Sequence, residues 1–194
     1  MNLSAVSHTN QDAPSAWVQR FAALIPPGPV LDLACGSGRH ARLLAALGHP
    51  VLALDRDPAA LACAAGHNIA TMQIDLEAEG AIWPFDVGQY AAIVVTNYLH
   101  RPLFTHILAS LANGGVLIYE TFASGNALYG KPSSPRFLLK HGELLQLLRE
   151  QPDAGMHVLA FEDGYTEAPK PAMVQRICAI RNPAEFPVGQ PRLF

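Results

Sequence analysis

In the stretch VLDLACGSGRHARLL (30–44), an acid, Asp32, comes four residues before the turn Gly36-Ser37-Gly38. Glycines at a strand-to-helix corner let backbone approach a ligand closely. Three ligand chemistries fit such a corner: the phosphates of ATP, the pyrophosphate of a dinucleotide, and a nucleoside bearing a sulfonium. The ATP form needs G-x-x-x-x-G-K-[ST], and no lysine or Ser/Thr pair follows Gly38, so it falls. The dinucleotide form stays open, because Gly36-Ser37-Gly38-Arg39-His40-Ala41 satisfies G-x-G-x-x-[G/A] and Asp55 follows about twenty residues later. Asp32 weighs between the remaining two. A pyrophosphate gains nothing from a neighbouring carboxylate, whereas a ligand with sulfonium and ammonium charges is stabilised by one. The acid points to a cationic ligand.

A corner of this kind has to sit on the rim of a sheet, and the surrounding pattern supplies one. The runs VLDLAC (30–35), VLALD (51–55), AAIVVTN (91–97) and GGVLIYETF (114–122) are apolar almost throughout, as expected of parallel strands covered on both faces. IATMQID (69–75) is a weaker strand. Between the runs, Arg39 to Leu47 puts Leu43, Leu44 and Leu47 on one helix face and ends at Gly48, and a second helix runs from Pro58 to Ala65 with Asp57 as its cap. Pro102 to Leu111 reads as the helix before the Asn113-Gly114-Gly115 turn, and Gly142 to Arg149 as another. MHVLAFEDGY (156–165) and PAMVQRICAIR (171–181) are joined by TEAPK, a connector short enough for an antiparallel pair. The prediction is one α/β domain over 1–194. Residues 1–12 are expected to be mobile, and ASGNALYGKPSSP (123–135) is a loop long enough to act as a lid.

With these pieces in place, the chain resembles the class I S-adenosylmethionine-dependent methyltransferases, whose first motif reads acid-x-Gly-x-Gly-x-Gly. Here it is Asp32-Leu33-Ala34-Cys35-Gly36-Ser37-Gly38, with Ala34 at the first glycine position; an alanine there is expected to have a negative φ. The resemblance implies a Rossmann-like, doubly wound, mostly parallel seven-stranded sheet with an antiparallel C-terminal strand pair, and S-adenosylmethionine as cofactor. It also implies roles. Gly36 and Gly38 would bring backbone to the methionine part, Asp55 would take the ribose hydroxyls with Arg56 beside it, and Asp75 and Leu76 would hold the adenine. Asn97 would stand beside the transferred methyl. On the acceptor side the candidates are Asn97, Tyr98, His100, Arg101, Glu120 and Tyr129. Thr96-Asn97-Tyr98-Leu99 lacks the prolines usual in enzymes that methylate amino groups of nucleic-acid bases. Within the family, the chain is most similar to small bacterial methyltransferases of the tellurite-resistance type. That likeness implies a small-molecule acceptor with a soft nucleophilic atom. RNA or protein methylation, a silent partner subunit and a nicotinamide oxidoreductase are the other readings.

Composition narrows the field further. Net charge is −3, and the 13 basic residues are scattered rather than clustered, which disfavours a nucleic-acid footprint. The 3 cysteines, Cys35, Cys63 and Cys178, form no Cys-x-x-Cys and have no spaced histidine pair beside them. No zinc site or disulfide framework is expected, and a reducing cytoplasm fits. No run of about 18 apolar residues suggests a membrane span, and the start of the chain lacks the pattern of a secretory signal. Oligomeric state leaves no mark in the sequence.

Overall fold

Four strands with an almost unbroken apolar pattern form the centre of one sheet: β1 (Val30–Leu33), β2 (Val51–Asp55), β4 (Tyr90–Thr96) and β5 (Leu111–Phe122). They were traced in a computed structural model that describes residues 13–183; the expected mobile segment 1–12 lies outside the described residues. β3 (Ile69–Gln73) completes one edge, and β6 (Met156–Thr166) with β7 (Ala172–Arg181) the other. The order is β3-β2-β1-β4-β5-β7-β6, with β7 antiparallel to both of its neighbours and every other pairing parallel. The expected seven-stranded, doubly wound sheet is therefore the observed one.

Helices cover both faces. α2 (Arg39–Ala46) and α3 (Pro58–Ala64) follow β1 and β2, and the Asp57 carboxylate caps α3 by accepting from the Ala59 and Ala60 amides. α4 (Phe104–Ser110) and α5 (Glu143–Arg149) pack on the opposite face, in the core of Leu31, Ile93, Leu117 and Leu139. α4 stops one residue short of Leu111, which opens β5, and Arg101–Leu103 forms a separate 3₁₀ turn before it. One helix escaped the sequence reading. α1 (Ala16–Phe21) is a short element capped by the Ser15 hydroxyl, and it buries Trp17, Val18 and Phe21 against Val94, Ile118 and Cys178.

Parallel strands all end on one side. The order reverses between β1 and β4, where the connections leave the sheet in opposite directions and open a crevice at the strands' carboxyl ends. No helix among the described residues is long and apolar enough to cross a membrane.

Candidate active site

The crevice begins at the glycine corner. Cys35 N–H donates to Leu54 O (3.0 Å) and Gly38 N–H to Cys35 O (3.0 Å), a turn so tight that three of its residues take positive φ: Ala34 +55°, Gly36 +54° and Gly38 +80°. The negative φ expected at Ala34 is corrected. The hydrogen bonds of the turn force the left-handed region on a methyl-bearing residue, at a cost of about 1–2 kcal/mol. Gly36 faces open space, with nothing within 4 Å of where a Cβ would stand. Gly38 does not reach the crevice; a Cβ there would lie 2.5 Å from the Ala64 Cβ, so its role is to let α3 approach α2.

Asp32 corrects a second expectation. It is 1% exposed and stands behind the crevice wall, not in it. Its Oδ2 accepts the Ala41 N–H at 2.9 Å, tying β1 to the first turn of α2, while Oδ1 is buried without a partner. Burial pushes its carboxyl up to about 7. A carboxylate here bears on a ligand only through its field.

From the corner, a cavity of about 1180 Å³ runs along the strand ends. Asp55 closes β2 on its wall, with Oδ2 accepting the Gly36 N–H (2.8 Å) and Oδ1 the Asp57 N–H (3.0 Å). Each carboxylate oxygen keeps a second lone pair for a ligand. Next along the wall are Arg56, Asp75, the buried Leu76 and Glu77; Asp75 accepts the Glu77 N–H at 2.9 Å and lies 3.9 Å from Arg56. That pair is largely exposed and contributes little to stability. Asn97 follows β4 with φ +56°, a conformation asparagine tolerates better than most residues, and its N–H donates to Glu120 O at 2.9 Å. Tyr98 lies beside it. Burial first, then the Glu77 carboxylate to which it hydrogen-bonds, hold its phenol well above the usual range.

The far end of the cavity belongs to β5 and β7. Glu120 is 8% exposed, with Oε2 2.6 Å from Arg176 Nε in an ion pair that lacks hydrogen-bond geometry; Arg176 Nη1 also donates to Glu162 at 3.3 Å. Phe122, Pro132, Phe137 and Val174 give this end apolar walls. Three other predicted residues fall outside the lining. His100 stands behind Glu77, Nδ1 to Oε2 3.8 Å, because the 3₁₀ turn carries it away from the rim. Arg101 ties Glu143 to the carbonyls of Arg136 and Leu138. Tyr129 stacks on Tyr165 with ring centres 5.1 Å apart, outside the cavity. Of the loop 123–135 only Pro132 reaches the wall, and Asn126 fastens the loop by donating to Pro132 O and accepting from Met173 N–H.

Three parts of the wall were not foreseen, one of them the β6–β7 connector with Thr166, Ala168, Pro169 and Lys170. The segment Ala13–Ala16 and Gln19 line the glycine end, where the only sequence signal was Ser15 ahead of Trp17, Val18 and Phe21. Arg176 was concealed in an apolar strand, although an arginine in the middle of the mostly apolar AMVQRICAIR is itself a signal that a partner acid must be near.

Residues 30–115 match the family described as "Methyltransferase domain". The protein-L-isoaspartate O-methyltransferase of Chlorobaculum tepidum is 34% identical over 98 residues, which are 48% of this chain and 45% of that protein; the chain thus spans under half the length of this relative. Among solved structures, TehB from Haemophilus influenzae superposes with TM-score 0.69 at 20% identity, covering 84% of this chain and 61% of that one. An S-adenosylmethionine dependent methyltransferase from Mesorhizobium loti gives TM-score 0.63 at 19% identity, with 86% of this chain and 98% of that one covered. Residues 30–115 thus match the methyltransferase-domain family, and the sheet order and the superpositions give the chain the fold of the class I S-adenosylmethionine-dependent methyltransferases.

Proposed function

We propose that the protein transfers a methyl group from S-adenosylmethionine to a small molecule. The observation that carries this is a single continuous cavity of about 1180 Å³, which joins the glycine corner to the Glu120–Arg176 end. Drug-sized ligand sites run to roughly 1,000 Å³, so there is room for a nucleoside cofactor and a small acceptor together. The residues fit the cofactor. Gly36 leaves space where a side chain would block approach, Asp55 has free acceptor positions, and Leu76 offers an apolar face beside the Asp75 carboxylate. Gly36, Asp55, Asp75, Leu76 and Asn97 would hold it, with Ala34 shaping the turn and Arg56 at the rim. When bound, it supplies a methyl group made electrophilic by a sulfonium.

The chain's own work is then alignment and exclusion of water. Asn97, whose backbone N–H donates a hydrogen bond to the Glu120 carbonyl, sets one side of the reaction space. Burial and the Glu77 carboxylate hold the Tyr98 phenol protonated, so it can offer a hydrogen bond but not act as a base. Glu120 is tied to Arg176 and His100 is turned away, so neither stands as a free general base. This favours an acceptor that arrives already nucleophilic, such as a thiolate or another soft anion, over an alcohol or amine. The scattered basic residues support a small acceptor over nucleic acid.

The test is incubation with methyl-labelled S-adenosylmethionine and, separately, a pool of small metabolites, total RNA and denatured protein. Label should enter the small-molecule pool. Label only in RNA or protein would overturn the acceptor class, and no label in any pool would favour a catalytically silent binding subunit.

A further inference from the structure

α2 begins immediately after the glycine corner, and its second residue, His40, is 1% exposed. A buried histidine must have both ring nitrogens satisfied, and here the partners lie on two different elements. Nε2 accepts the Ser15 N–H at 3.0 Å. A backbone N–H can only donate, so the neutral ring carries its proton on Nδ1 and donates it to Thr96 Oγ1, 3.3 Å away. Arg39, the preceding residue, donates to Ala13 O. The N-terminal segment is therefore fastened by the first two residues of the helix that leaves the glycine corner.

Its other end is fastened as well. Thr96, Glu120, Arg176 and Glu162 occupy directly opposed positions on β4, β5, β7 and β6 and form one polar row across the sheet. Glu162 at the end of the row pairs with Arg20 of α1 at 3.5 Å. His40 begins the row by joining Ser15 to Thr96, the residue before Asn97. Ser15 and its neighbours form one part of the cavity wall, and Asn97 forms another.

We infer that His40 is a positioning residue for methyl transfer, a clasp that sets the N-terminal wall and the Asn97 rim at a fixed spacing around the cofactor's methionine end. The inference rests on the reading of the cavity as an S-adenosylmethionine site. His40 itself does not line the cavity and touches neither reactant.

The chemistry distinguishes two amide replacements. In His40→Gln the side-chain oxygen can reach the Nε2 position and still accept from Ser15; in His40→Asn the amide reaches only the Nδ1 position, keeping Thr96 and releasing Ser15. A second pair separates the clasp from folding damage: Ser15→Pro deletes the N–H and the hydroxyl cap, whereas Ser15→Ala deletes the cap alone. The readouts are S-adenosylhomocysteine affinity by calorimetry, KM and kcat for S-adenosylmethionine, and exchange protection of the Ser15 amide. Expected is a loss of affinity of about tenfold, equal to about 1.4 kcal/mol, in His40→Asn and in Ser15→Pro relative to Ser15→Ala. KM should rise with it more than kcat falls, Ser15 protection should be lost in His40→Asn, and His40→Gln should stay near the parent. A parent that binds while His40→Asn and Ser15→Pro bind equally well would overturn the clasp alone. So would equal losses in His40→Gln and His40→Asn. A parent that does not bind S-adenosylhomocysteine would overturn the cofactor reading, and the clasp's role with it.

Discussion

Two buried groups beside β1's corner should add opposite slopes to the stability of this protein between about pH 5 and 6, and a single substitution should expose either one. Burial raises the Asp32 carboxyl from 3.8 to about 7, and burial, with the Arg39 charge second, lowers the His40 imidazole from 6.5 to about 3. Between about pH 5 and 6, Asp32 is protonated when folded and ionised when unfolded, so unfolding releases a proton and rising pH favours the unfolded chain. His40 is neutral when folded and charged when unfolded, so unfolding takes up a proton and rising pH favours the fold. One proton leaves and one enters. Each alone would give a slope of about 1.4 kcal/mol per pH unit at full occupancy, with opposite signs. In the parent they nearly cancel. Asp32→Asn leaves the histidine unopposed, and its unfolding free energy should rise by about 1 kcal/mol, relative to parent, from pH 5 to 6; His40→Gln should show a fall of the same size. Urea unfolding at pH 5.0, 5.5 and 6.0 measures this, whatever the absolute stability of each variant. Parallel profiles for parent and both variants would refute the reasoning.

Asp55→Ala should weaken S-adenosylhomocysteine binding by about one to two decades, since a charge-assisted grip on ribose hydroxyls contributes roughly 1.5–3 kcal/mol; calorimetry that finds parent-like affinity would remove Asp55 from the site. Ala34→Gly should raise thermal-unfolding stability by about 1 kcal/mol by relieving the left-handed alanine, and a variant less stable than the parent would mean the turn does not force that conformation. Tyr129→Ala should leave kcat/KM within about twofold, because its ring packs on Tyr165 outside the cavity; a tenfold loss would place the loop over the acceptor during turnover.

The sheet was legible because its signal is local. VLDLAC, VLALD and AAIVVTN are apolar on both faces, and only strands buried between helix layers are written that way. Asp55, Asp75 and Asn97, named from the family resemblance, do line the cavity, as residues ending strand runs must in a doubly wound sheet whose crevice lies at the strand carboxyl ends. What the sequence obscured depends on side-chain direction or on distant pairing. Asp32 lies in the right motif yet faces α2, because its carboxylate satisfies the Ala41 amide. His100 and Tyr129 are near in sequence to strand or loop landmarks, but a 3₁₀ turn and the Asn126 anchor carry them off the rim. His40 and Arg176 were passed over because their partners, Ser15 and Glu120, are 25 and 56 positions away in the chain, a separation no spacing rule reveals.

The central claim is that the cavity beside Gly36 takes a sulfonium nucleoside and not a dinucleotide. Calorimetric titration of the full chain with S-adenosylhomocysteine and, in parallel, with NAD tests it most directly. The account predicts one saturable site of micromolar affinity or tighter for S-adenosylhomocysteine and no measurable binding of NAD; NAD binding as tight or tighter, or no binding of S-adenosylhomocysteine, would contradict it.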